Sequence, residues 1–144
     1  MNAKDELNQY RFKVKKAEEA REEYDKFMTR ATKMTAAFGE TTGRTNITSD
    51  KVGENAAALA DLKAEWEKRW IEAERERLEI VNNINHIEEP YRTVLIERYI
   101  HEKNFEEISI DMKYSYAWTT HLHGDALEKY QEYMNIRDGV IVNG

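Results

Sequence analysis

The stretch NFEEISIDMKYSYAWTTHLHGDAL, residues 104–127, decides how this chain is read. Asn104 is a good N-cap, and Glu107 three residues later completes a capping box, so a helix is expected over Phe105–Met112. Lys113 and Tyr114 then make a tight connection. Ser115 caps a further helix that starts at Tyr116 and continues toward Tyr133. A short helix, a tight turn and a second capped helix form the helix-turn-helix pattern. The expected buried positions are Ile108, Met112, Tyr114, Trp118 and Leu122, with Leu127 and Tyr130 extending that face. Ser109 is small enough to sit where the two helices cross. On a helix beginning at Ser115 the outward positions are Ser115, Tyr116, Ala117, Thr120, His121 and Gly124.

Upstream, PYRTVLIERYIHEK reads as another helix, with Val94, Leu95, Arg98 and Tyr99 near one face. It begins at Pro90, the only proline, which is tolerated in a first turn and disfavours helix in the residue before it. A domain boundary is therefore placed at Glu89-Pro90.

The residues before it read as two long helices. Leu7, Tyr10, Val14, Ala17, Arg21, Tyr24, Met28, Ala31, Thr35 and Phe38 alternate in steps of three and four, a narrow seam of coiled-coil type capped by Asn2. Such a helix serves an antiparallel hairpin or a dedicated zipper, and the hairpin is the favoured reading. Residues 39–49, GETTGRTNITS, form a loop. Thr48 caps the second helix, Ile47 and Val52 make a hydrophobic staple, and Asp50 sits in the first turn. That helix runs from Ser49 to Ile87 with the stripe Val52, Ala56, Leu59, Leu62, Trp66, Trp70, Ala73, Ile80, Ile84 and Ile87, interrupted by Arg77. A second fringe of Ile71, Leu78 and Val81 calls either for self-association or for the C-terminal part folding back over it. Self-association is the favoured outcome. The fold class is thus all-α: a long antiparallel helical hairpin (residues 1–89, for oligomerisation), a helix-turn-helix domain (90–134) and a flexible tail (135–144).

Composition agrees. The chain has 144 residues, 35% of them charged, with one Pro, six Gly and no Cys. This suits one helical protein and excludes collagenous and disulfide-built classes. No apolar run approaches a membrane span, and MNAKDELNQYRFKVKK has no apolar core of a signal peptide. A reducing cytoplasm is the expected compartment. Net charge is −6, distributed as +2 over residues 1–35, −5 over 36–89 and −3 over 90–144. No segment holds a basic block of the kind that gives general nucleic-acid affinity.

The stretch EEPYRTVLIERYIHEKNFEEISIDMKYSYAWTTHLHGDALEKY resembles region 4 of bacterial sigma factors. That region has a helix of the form R-x-V-L-x-x-R-Y, an "EIA" helix, a Y-S turn and a recognition helix ending LH-x-x-AL-x-K. With Ala31-Thr32-Lys33-Met34-Thr35 and Ser49-Asp50-Lys51-Val52 upstream, the chain is similar to the ArpU/RinA-type late-gene regulators of phages of Gram-positive bacteria. The resemblance covers roughly Tyr24 to Tyr130. It implies a phage transcriptional regulator, acting in the bacterial host cytoplasm, that binds promoter DNA of packaging or lysis genes. Its double-stranded DNA contacts would come from Lys113, Ser115, Tyr116, Ala117, Thr119, Thr120, His121 and His123, with Arg92 and Arg98 as backbone contacts. The chain departs from the family pattern at Lys113, where glycine is frequent, and at Thr119, where valine or isoleucine is usual. It departs again at Asp125, where a basic residue is common. YAWTTHLH holds no Arg or Lys, so the commonest specific contact, arginine to guanine, is missing. Weak binding by a single head is expected, with a homodimer or higher homo-oligomer, or host RNA polymerase, supplying the rest.

No enzyme is expected, because GxGxxG, P-loop and HExxH patterns are absent. His121 and His123 face opposite ways on a helix, so no metal and no cofactor are expected. Two further readings stand beside the regulator. One is a packaging factor similar in role to a small terminase subunit. The other is a protein-interaction module with a degenerate helix-turn-helix.

Overall fold

The computed structural model describes residues 1–39 and 49–140, with side chains over 1–33 and 53–140. Every regular element among them is helical: α1 (Ala3–Gly39), α2 (Ser49–Ile84), α3 (Tyr91–Leu95), a π turn (Ile96–Ile100), α4 (Phe105–Met112) and α5 (Tyr116–Arg137). No helix among the described residues is long and apolar enough to cross a membrane. The expected cap at Thr48, the Ile47–Val52 staple, the Asp50 dipole contact, most of the loop, heptad positions Thr35 and Phe38, and tail residues 141–144 lie outside the described side chains.

The local signals acted as anticipated. Asn2 Oδ1 accepts from the Asp5 amide at 2.9 Å and starts α1. Asn104 Oδ1 accepts from the Glu107 amide at 2.8 Å, and the Glu107 carboxylate accepts from the Asn104 amide, so the capping box is complete. Ser115 Oγ accepts from the Trp118 amide at 3.1 Å and opens α5. The segment after Pro90 differs from a single α-helix. It is one short α turn followed by a π turn, closed by the His101 amide donating to Ile96 O at 3.0 Å. The Lys103 amide then reaches Glu97 O, and Glu102 turns the chain at φ 56°.

The chain divides into two compact units, and the division does not fall at Pro90. One unit is residues 1–12 with 74–144; the other is 13–73. The first has a core of Ala3 and Leu7 from α1, Ile80 and Ile84 from α2, Ile87, Leu95, Tyr99, and Ala126, Tyr130 and Met134 from α5. The helix α2 ends at Ile84, short of the expected Ile87, and Pro90 stands at the start of α3 without ending a core, because the apolar residues on both of its sides bury one another. The start of α1 is clamped to α5 by polar contacts. The Ala3 amide donates to Gln131 Oε1 at 2.9 Å, and Arg137 pairs with Glu6 at 2.8 Å. Tyr130 donates its hydroxyl to Glu6, while Asn83 and Tyr133 complete a buried network around it. Burial, and next the Glu6 carboxylate, hold the Tyr130 phenol well above its usual range. Residues 135–137, expected in the tail, are helical: Met134 is buried, and α5 continues to Arg137.

In the unit of residues 13–73, Ala17 and Ala73 are buried, and Tyr24 stacks on Trp66 with centroids 6.1 Å apart. The Arg21 guanidinium lies 4.7 Å over the same Trp66 ring, which explains a charged residue at a seam position. Trp70 and Ile71 remain about half exposed, as does Leu78 in the first unit. The C-terminal part does cover the end of the stripe, at Ile80, Ile84 and Ile87.

Candidate nucleic-acid interface

The candidate site is α4, its turn and the first turns of α5. Lys113 closes α4 in the left-handed conformation, φ 59°, with its amide donating to Ile110 O, and the Tyr114 amide donates to Ser109 O. This is the turn at which glycine is the easier residue, since a side chain there costs about 1 kcal/mol. Ile108, Ser109, Thr119, Leu122 and Ala126 are buried, so α4 and α5 pack through small and aliphatic residues, with Ser109 among them as anticipated.

Of the eight residues proposed for DNA contact, six are accessible. Lys113, Ser115, Tyr116, Ala117 and His121 are exposed, and Thr120 is partly so. Thr119 has no exposed surface, and its hydroxyl donates to Ser115 O at 2.9 Å. It fills the aliphatic position of the helix and cannot reach a ligand. His123 is turned inward. Its Nε2 is hydrogen bonded to the Tyr99 hydroxyl at 2.8 Å, its ring stacks on Tyr99, and Phe105 meets it edge-on. Arg98 covers the other face of this cluster, 4.4 Å over the Phe105 ring, and donates to Lys103 O. Arg92 is tied to Ile87 O and Glu89. These two arginines act first as internal braces.

Two residues assigned to the core lie outside it. Trp118 is 48% exposed and Tyr114 is 40% exposed. The signal was present in the spacing. Thr119, Leu122, Ala126, Tyr130 and Met134 recur at steps of three and four and form the buried stripe, and Trp118 stands about 100° off it. Trp118 instead stacks on His121, with centroids 5.3 Å apart, and His121 Nε2 lies 3.2 Å from Asp125. Gly124 shares the outward face. A Cβ there would meet nothing within 4 Å, so no internal packing accounts for a residue that costs a helix interior about 1 kcal/mol relative to alanine.

The four histidines have separate partners: His86 stacks on Tyr133, His101 is bonded to Glu97, His121 to Asp125 and His123 to Tyr99. Lys103 bridges Glu97 and Asp111, which joins the π turn to α4 and raises the lysine above its usual range, Asp111 contributing most. Burial alone would raise Glu97. The bonds from Lys103 and His101, with their charges, outweigh it and leave the carboxyl low.

Burial, with Arg98 next, pushes the His123 imidazole down to about 4. The unfolded chain takes up this proton near pH 6.5 and the folded chain resists it, so stability present above pH 6.5 is lost as pH falls toward 4. Allowing for partial exposure, the loss is about 1–2 kcal/mol. Denaturant titrations between pH 7.5 and 4.5 should show His123→Phe with a flatter pH dependence than wild type. Parallel curves would remove His123 as the cause.

No protein-family model, curated protein or solved structure matches the chain.

Proposed function

We propose that this chain is a phage-type transcriptional regulator that binds promoter DNA through a helix-turn-helix like that of sigma region 4. In this reading α4 is the supporting helix, and the first turns of α5 enter the major groove. The long helices pair as an antiparallel hairpin and bring two or more copies together, and late packaging or lysis genes are the regulated targets. Host RNA polymerase is a further partner. The observation that carries the reading is the pair of capped helices joined at left-handed Lys113, which leaves Tyr116, Ala117, Thr120 and His121 accessible at the start of α5.

A second reading has its own support. Between residues 104 and 125 there are four acidic side chains and one basic one. An exposed tyrosine and tryptophan beside so little positive charge also suit a protein partner.

The test is retention of tiled fragments of the encoding genome at low and at near-physiological salt. One fragment held at both salts is the expected result. Tyr116→Ala and His121→Ala should each reduce that retention at least tenfold and leave the oligomer unchanged. Uniform retention that vanishes with salt indicates phosphate contacts alone and favours a packaging role. No retention at either salt refutes the DNA reader and favours the protein partner.

A further inference from the structure

We propose that the face of α5 selects DNA by the C5-methyl groups of thymine. This inference rests on the DNA-binding reading above and concerns what that surface recognises. After Lys113 the next cationic side chain is Lys129, so no arginine or lysine lies along the first three turns of α5. Nor does any Asn or Gln occur between 105 and 130. The bidentate partners for guanine and for adenine are therefore both missing from this face.

Three of the polar groups that remain are held by neighbours in the same helix. The Thr120 hydroxyl donates to Ala117 O at 2.9 Å, within its own helix. Ser115 Oγ holds the Trp118 amide, and His121 is paired with Asp125. With its hydroxyl tied back, Thr120 offers chiefly its methyl group, beside the Ala117 methyl. Tyr116 and Trp118, each about half exposed, flank them with ring surface. Gly124, one turn further along, has open space where a side chain would stand. In the major groove the one base-edge group that asks for no hydrogen-bond partner is the thymine methyl, and alanine and threonine methyls are its usual complements.

The experiment uses full-length protein and the genomic fragment retained above, prepared once with thymine and once with uracil in its place. Base pairing and phosphate charge are unchanged, and only the methyl groups are lost. Affinity is expected to fall about tenfold or more, the scale of two buried methyl groups. Ala117→Gly with Thr120→Ser removes the matching protein methyls and should shrink that ratio to near one. Equal wild-type affinity for both duplexes overturns the proposal and leaves site-specific DNA binding standing. A ratio unaltered in the double variant overturns the assignment to Ala117 and Thr120. No retention of either duplex overturns this proposal together with the DNA-binding reading.

Discussion

Removal of residues 1–12 is expected to unfold the unit formed by residues 74–140, although the deleted segment carries none of the candidate site. Leu7 is completely buried and Ala3 nearly so, both within the core that holds Ile84, Leu95 and Tyr130. A buried leucine truncated to alanine costs about 2–5 kcal/mol, and the whole stability of a domain is of order 5–15 kcal/mol. The deletion also leaves Tyr130, Gln131 and Arg137 without the partners they have in α1. Loss of Leu7, Ala3 and the Glu6 contacts together should exceed what the remainder can bear. Circular dichroism and amide exchange of the truncated protein should report a helical but non-cooperative chain, whereas Leu7→Ala should retain the fold at reduced stability. A fragment of residues 90–144 should fail in the same way. If that fragment unfolds cooperatively and shows dispersed amide resonances, the core described for this unit is wrong.

Tyr130 offers the second large effect, and two substitutions separate its parts. The ring is fully buried among Ala126, Met134 and the helices around them. Tyr130→Ala should cost about 3–5 kcal/mol, as for other large aromatic truncations in a core. Tyr130→Phe keeps the ring and removes the hydroxyl. That hydroxyl donates to Glu6 and accepts from Asn83 Nδ2 at 3.4 Å, so the loss should be about 1–2 kcal/mol. Urea denaturation of the pair gives both numbers. Equal losses would mean that the hydrogen-bond network, and not packing, holds α1 to α5.

The parts of the fold that could be read along the chain are those whose causes are local. The caps at Asn2, Asn104 and Ser115 act on amides three residues away, and each forms as the spacing implies. The helix start after Pro90 and the left-handed stop at Lys113 are likewise properties of a few adjacent residues. The candidate site was legible in outline for the same reason. Its accessible members, Tyr116, Ala117, Thr120 and His121, follow from where α5 starts and from the helical period.

Side-chain size is a poor guide to position in α5. Tryptophan is large and apolar, so position 118 reads as core; Thr119 counts as a contact only through the resemblance, although valine or isoleucine is usual there. The period of α5, anchored by Leu122, Ala126 and Tyr130, puts them the other way round. His123 followed the same course. Its inward position depends on Tyr99 and Phe105, which no spacing within α5 reveals.

The sequence by itself determined an all-helical chain, where most of its helices start and stop, and which residues stand at the head of α5. Capping, proline geometry and helical period act over a handful of residues, so adjacent letters suffice. The tertiary structure alone decided that residues 1–12 belong with 74–144, that Pro90 lies inside one core, and that Arg137 is held by Glu6. Those outcomes depend on which apolar faces bury one another across the full length of the chain, and a hydrophobic residue carries no label for its distant partner.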